Sequence, residues 1–294
     1  MPDEKAMTKE QMEHLLSQQG ATLKAMISVV TDHIKKYKLP YKLIDGKLVE
    51  VGDSTDAWLS RFVTVNEELL QMKQDVRKLY PIDEDADQLF SVLINGPTGT
   101  GKELIALALH GDRVGEFVAI NCAGLPSELV ESELFGHVRG SFTSASSDKI
   151  GLMKAANKGT LFLDEIGELP MPAQAKLLRA IQKKQIRKVG GNQDENISCR
   201  IICATHRNLQ EMCNSGNFRI DLYSRISTYE LKISGLSERH EDIKPIIESI
   251  EGGKEFLEAI SKTGLLLTGL DLTLNVRSLQ QYIKRYKILG KLPV

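Results

Sequence analysis

Apolar positions along the chain follow two different rhythms. In residues 7–38, Leu16, Leu23, Ile27, Val30 and Ile34 recur at roughly helical spacing. Lys35, Lys36 and Lys38 gather near the C-terminal end, where the helix dipole favours cations, and Pro40 stops the pattern. Tyr41–Val51 then alternates about Asp45-Gly46, which predicts a small hairpin. From about Phe62 the rhythm becomes mixed. Leu69–Leu79 reads as helix, whereas Phe90–Ile94, Phe117–Asn121, Leu161–Leu163 and Arg200–Ala204 are short apolar runs suited to buried parallel strands. Helices over Gly101–Leu109 and Ala173–Lys183 separate these runs. Strand and helix in alternation predict an α/β fold, a parallel sheet flanked by helices on both faces. Past Ser234 the runs turn helical, which predicts a small α-helical lid. The expected division is 1–61, a helix and hairpin of unassigned role; 62–235, the α/β domain; and 236–294, the lid. Packing on its own chain is the default expectation for the first section, with a dimerising or regulatory role as the alternative.

Composition narrows the function classes. A length of 294 residues allows one large domain or two modest ones. A formal net charge of −1 gives no global basic field for nucleic acid or membrane. No apolar run approaches the roughly 20 residues that span a bilayer. The opening MPDEKAMTKEQ is polar and mixed in charge, unlike a secretory signal. Cys122, Cys199, Cys203 and Cys213 have neither CxxC nor zinc-like spacing and read as idle or buried thiols. Together these features predict a cytoplasmic protein without membrane contact.

The candidate chemistry begins at Gly96-Pro97-Thr98-Gly99-Thr100-Gly101-Lys102-Glu103. It follows an expected strand and opens an expected helix, the context that separates a phosphate-binding loop from a chance glycine-rich turn. Glycines let backbone N–H groups close around phosphates, and the helix N-terminus adds partial positive charge. Lys102 supplies a full charge for the β- and γ-phosphates of ATP. Glu103 stands where serine or threonine usually reaches Mg2+, so the metal geometry must differ from the common one. About 60 residues on, the apolar Leu161-Phe162-Leu163 ends in Asp164-Glu165. At the C-terminal end of a strand, Asp164 is placed to hold Mg2+ and Glu165 to orient and deprotonate a water. A merely solvated acidic strand end is the plainer reading. Between them lies Glu131–Ala145, ESELFGHVRGSFTSA, where Phe142 is one aromatic among glycine, serine and threonine. It reads as the tip of a projecting loop that meets another macromolecule, or as a ring folded back on its own domain.

Several of these segments together resemble the sigma-54-dependent transcription activators, a branch of the AAA+ ATPases. ELFGHVRGSFTSA is similar to the family's ELFGHEKGAFTGA, with Ser141 where alanine is usual and Ser144 where the second glycine is usual. The GKE ending at Glu103 is also the family's. Phe218-Arg219-Ile220-Asp221-Leu222-Tyr223-Ser224-Arg225 resembles FRxDLYYR, Cys203-Ala204-Thr205-His206-Arg207 the sensor I segment, Leu236–Ile243 the LRERxEDI lid junction, and Asn275-Val276-Arg277-Ser278-Leu279 the NVREL of sensor II. The usual Pro-Gly before that asparagine is replaced by Thr273-Leu274. The likeness covers about Phe62 to Leu289.

The resemblance implies an AAA+ P-loop NTPase that binds ATP and Mg2+, hydrolyses ATP and remodels the sigma-54 RNA polymerase closed complex. It implies contact with the sigma factor through Phe142 and Thr143, pairing of Asn121 with Glu165, and γ-phosphate sensing by Thr205, for which a strand-end cap is the alternative. Arg219 and Arg225 become arginine fingers acting on a neighbour's ATP, or else salt-bridge residues, and the fingers require a ring, a hexamer by resemblance. Arg277 brings the lid onto the γ-phosphate. No sequence-specific DNA-binding segment is expected after Ile288. That leaves activation without specific DNA contact, a partner that brings the DNA, or a fragment. The rival functions are a ring with a different protein client and an ATP-binding interaction module with little turnover.

Overall fold

The structure is a computed structural model that describes residues 7–17, 29–30, 41–44, 47–50, 54–80, 91–124, 126–142, 145–263 and 265–292. Its centre is a five-stranded parallel sheet. Edge to edge the strands run Tyr229–Lys232, Val92–Asn95, Arg200–Thr205, Thr160–Asp164 and Phe117–Asn121. All six residues of Arg200–Thr205 are buried, as expected of a strand covered on both faces.

Alternate residues of these strands feed two separate cores, because side chains on a strand point to opposite faces with period two. On one face Leu93, Leu161, Leu163, Ile201 and Cys203 pack with the helices Ser127–Phe135, Met171–Lys183 and Ile220–Ile226. On the other, Val92, Ile94, Phe162, Ile202 and Ala204 pack with Thr55–Arg61, Glu67–Leu79 and Lys102–His110. A third core, around Leu236, Ile247, Phe256, Leu279 and Ile283, joins the helices Ile243–Ser249, Gly253–Thr263 and Val276–Leu289. This is the helical lid. Arg200 locks the second layer: its guanidinium donates to the carbonyls of Leu109 (2.8 Å) and Leu79 (3.0 Å), where two helices end. Terminal helix carbonyls lack partners within the helix, and a cation suits that end of the dipole.

The strands and helices expected from Phe62 onward are present with shifted ends. The helix expected from Leu69 starts at Glu67, because Asn66 caps it by accepting from the Leu69 N–H (3.2 Å). The helix expected from Ala173 starts at Met171. Among the elements not anticipated are the edge strand Tyr229–Lys232, the helix Thr55–Arg61, and a hairpin of Gln185–Arg187 with Asp194–Asn196. In the N-terminal section Lys9–Ser17 is helical, residues 29–30 are helical, and Tyr41–Ile44 pairs antiparallel with Lys47–Glu50. Leu23, Ile27, Ile34, the three lysines, Pro40, Asp45-Gly46 and Phe90 lie outside the described residues. No helix among the described residues is long and apolar enough to cross a membrane.

Candidate functional site

The strands end level with one another at the carboxyl edge of the sheet. Asn121 lies opposite Asp164, and Thr205 opposite Asn95. In open α/β sheets ligands bind outside this edge. Here the edge and the lid enclose a cavity of about 380 Å³, lined by Thr98–Glu103, Asn121, Asp164 and Glu165 below and by Arg239, Ile246, Ile250, Val276, Arg277 and Gln280 from the lid. Phe62 and Val63 close one side.

Gly99 of the glycine-rich loop fits this space only as glycine. Gly99 has φ +77°, and a Cβ there would lie 2.1 Å from the Leu274 carbonyl oxygen of the lid. Lys102, 7% exposed, donates its ammonium protons to Gly96 O (2.8 Å) and Pro97 O (3.3 Å). The same ammonium is 3.7 Å from Glu165 Oε1. Thr100 Oγ1 donates to Pro97 O, so its hydroxyl shapes the loop. Glu103 is exposed at the cavity wall.

Asp164 and Glu165 sit at the end of Thr160–Asp164. Burial, and then the Glu165 carboxylate beside it, hold the Asp164 carboxyl above its ordinary range, partly opposed by Lys102. Glu165 adopts a left-handed backbone, φ +53°, which turns its side chain away from the strand axis. Its Oε2 accepts from His206 Nδ1 (2.6 Å) and from the His206 N–H (3.3 Å). The expected Asn121–Glu165 pair is not formed. Asn121 Oδ1 instead accepts from the Ala123 N–H (2.9 Å), closing the turn after its own strand. Thr205 is fully buried, and its hydroxyl accepts from the Arg207 N–H (3.0 Å), the strand-end geometry; it does not line the cavity.

The lid meets the loop through one backbone N–H and one side-chain amide. Val276 N–H donates to Gly99 O (3.1 Å) and Asn275 Nδ2 to Thr98 O (2.9 Å), while Asn275 Oδ1 accepts from the Leu236 N–H (2.7 Å). These bonds hold Asn275 at φ +53°, a conformation uncommon outside glycine. Arg277 follows at the first turn of its helix, lines the cavity and has no ion pair among the described residues. Behind the Phe62–Val63 wall, Asp242 accepts from Arg239, Thr64, Val65 and Asn66. Sequence reasoning placed His206 and Arg239 in motifs but missed their partners, and it missed Phe62, Val63 and Gln280 as cavity walls.

The remaining expected residues lie away from the cavity. Arg219 is half-exposed and forms a two-pronged pair with Asp221 (3.0 and 2.7 Å). Arg225, on the same helix, is exposed and has no ion pair among the described residues. Phe142 is half-buried, its ring edge-on to His137 at 4.9 Å, and His137 Nδ1 is bonded to Ser132 Oγ (2.7 Å). The loop turns at Gly140, φ +79°, and rests on the unanticipated hairpin through Val138 N–H to Val189 O (3.1 Å). Thr143 and Ser144 lie outside the described residues.

A family model described as the sigma-54 interaction domain matches residues 63–232, more than half the chain. The chain belongs to the sigma-54 interaction domain family. Similar proteins include the transcriptional regulatory protein GlrR of Escherichia coli (strain K12), 42% identical over 287 residues, covering 94% of this chain and 63% of GlrR. The regulatory protein AtoC of the same strain is 42% identical over 213 residues, covering 69% of this chain and 46% of AtoC. This chain therefore spans less than two thirds of the length of these curated relatives. Among solved structures, NtrX from Brucella abortus in complex with ADP superposes with a TM-score of 0.64 at 26% identity, over 92% of this chain and 57% of that one. A closed-state Hsp104 reconstruction, TM-score 0.54 at 19% identity over 81% of this chain and 46% of that one, shares the fold alone. The fold of this member of the sigma-54 interaction domain family is the AAA+ α/β fold.

Proposed function

We propose that the chain is a cytoplasmic AAA+ ATPase subunit that remodels the sigma-54 RNA polymerase closed complex to activate transcription. One observation carries the reading: Lys102, Asp164 and Glu165 converge on a single cavity closed by Arg277 from the lid, in a chain of the sigma-54 interaction family. The NtrX structures in complex with ADP and with ATP support a nucleotide occupant. Gly96, Pro97, Thr98, Gly99, Thr100, Gly101 and Glu103 cradle its phosphates. Lys102 leaves its two loop carbonyls for the β- and γ-phosphates, an exchange of neutral acceptors for charged ones.

The donor set fits Mg2+. Asp164 is a carboxylate that burial and Glu165 penalise, and a cation relieves both. No cluster of three or more metal-binding side chains exists among the described residues. Magnesium suits such a site, since it uses one or two carboxylates plus phosphates and waters. When bound, it neutralises charge on the phosphates. Glu165 takes the proton of the attacking water, and Arg277 draws in the lid. Arg219 and Arg225, outside their own cavity, serve the neighbouring subunit of a ring, a hexamer by family resemblance. Phe142 and Thr143 contact the sigma factor when the loop leaves His137.

Two measurements test this. Phosphate release per subunit rises with protein concentration if the fingers act in trans. Capture of purified sigma-54 in the presence of an ATP transition-state mimic is expected for the unaltered chain, and is lost in Phe142→Ala while turnover remains. No capture by the unaltered chain overturns the assignment of the client. Turnover that is independent of concentration overturns the ring.

A further inference from the structure

The carboxylate assigned to the attacking water is not steered by the residue expected to steer it. Asn121 spends its side-chain oxygen on Ala123. Glu165 is instead held from the neighbouring strand end. His206 presents two donors to the same oxygen, Oε2: the ring Nδ1 at 2.6 Å and the backbone N–H at 3.3 Å. The other oxygen, Oε1, faces Lys102 at 3.7 Å. An ionised carboxylate only accepts, so the imidazole donates from Nδ1 and its other nitrogen is left on the solvent side of a 44% exposed ring.

We infer that His206 is a positioning residue for Glu165, fixing Oε2 so that Oε1 is the oxygen presented to the cavity; the inference rests on the ATP-hydrolysis reading above. The chemistry of the arrangement supports it. Glu165 stands at φ +53°, and one turn of a carboxylate exchanges its two oxygens unless something distinguishes them. The two His206 donors make that distinction. They come from the residue directly after Arg200–Thr205, the most deeply buried strand of the sheet, so they are aimed by a rigid element rather than a loop. Lys102 makes the fixing necessary. Its ammonium lies close enough to draw the carboxylate into a tight ion pair once His206 lets go, which would occupy both groups at once. His206 itself does not line the cavity, so it acts through Glu165 alone.

The test is steady-state ATP hydrolysis by the full chain at concentrations where the rate per subunit has reached its plateau, with binding of a fluorescent ATP analogue measured alongside. His206→Ala is expected to lower kcat by about 10- to 100-fold, the cost of a catalytic group displaced by about 1 Å, while KM and analogue binding change by no more than about twofold. His206→Asn places an amide N–H near the position of Nδ1 and is expected to recover kcat to within about threefold, whereas His206→Leu is not. A purely structural role would move binding and melting temperature together with kcat and would not distinguish Asn from Leu. The inference is overturned if His206→Ala keeps kcat, if its loss falls on KM instead, or if the Asn and Leu variants are equally poor. Absence of turnover in the unaltered chain at every concentration overturns the ATPase reading and this inference with it, so the two failures are told apart by the unaltered protein.

Discussion

Removing the Asp242 carboxylate should be among the most damaging single changes outside the cavity itself. Asp242 is 0% exposed and Arg239 1%. The carboxylate accepts from Arg239 Nη1 (2.9 Å), Thr64 Oγ1 (2.6 Å), Val65 N–H (2.6 Å) and Asn66 N–H (3.2 Å). Asp242→Ala therefore buries a guanidinium without its counter-ion, left with only Ser234 O as a partner (3.0 Å), and strands two further donors, Thr64 Oγ1 and Val65 N–H, while Asn66 N–H keeps Thr64 Oγ1 (3.1 Å). Breaking one side of a buried ion pair costs about 3–5 kcal/mol. Arg239→Met is the milder change. It leaves Asp242 with its other three donors, so its cost should be nearer that of one hydrogen bond to a charged group, about 1.5–3 kcal/mol. The double variant Arg239→Met/Asp242→Ala should cost less than the sum, because the stranded charge is gone. Trp58, the chain's single tryptophan, stands four residues before Phe62 and gives the fluorescence signal for urea unfolding, with far-ultraviolet circular dichroism as the second probe. Nucleotide affinity should fall in parallel, since residues 64–66 hold the segment whose Phe62 and Val63 wall the cavity. A loss below about 1 kcal/mol for Asp242→Ala, or a larger loss for Arg239→Met, would refute the reasoning.

Three more outcomes follow from the same geometry. Burial first, and then Arg113 and Arg200, lower the His110 pKa to about 4. The neutral ring therefore stabilises the fold fully above pH 6.5, and this contribution, up to about 3 kcal/mol, is lost as pH falls from 6.5 towards 4. His110→Gln should flatten the melting temperature across that window, and an unchanged slope would show that another group sets it. Asp164→Asn should raise the melting temperature at pH 7, because the folded state raises this carboxyl's pKa and so penalises its ionised form. The gain should vanish as pH falls below the ordinary 3.8, and magnesium-dependent turnover should be lost; equal melting at pH 7 would remove the argument. Arg219→Ala and Arg225→Ala should each cut turnover by about 10³-fold or more with nucleotide binding intact, as removal of an arginine finger does. Unchanged turnover in either variant would return that arginine to the surface.

What could be read from the sequence was what depends on neighbours along the chain. Thr160–Asp164 and Arg200–Thr205 are apolar on both faces, so their place in a covered parallel sheet is written in consecutive residues, whereas Phe117–Asn121, read as a buried strand from the same kind of run, is an edge of the sheet with only Ile120 buried. The glycine-rich loop was legible for the same reason, since its strand, turn and helix are contiguous. Tyr229–Lys232 was not, because an edge strand with only Leu231 buried carries no apolar run. Thr55–Arg61 was missed because its one well-buried apolar residue is Leu59, and its partner helix begins at Lys102. The site divides along the same line. Lys102 and Asp164 reach the cavity from positions that local pattern fixes, whereas Arg277 was indicated by the family resemblance alone. The hold on Glu165 does not follow from local pattern, because it needs a left-handed residue at the end of one strand to meet a histidine at the end of the next. Nor does the lid turn, where Thr273-Leu274 replaces Pro-Gly and Asn275 itself takes the positive φ, held by bonds to Thr98 and Leu236. Those bonds have a consequence that no single segment displays. The lid grips the phosphate loop through Asn275 and Val276, and it grips the cavity wall through Asp242. A ligand seated in the cavity would therefore lie against a lid tied both to the loop beneath it and to the wall beside it.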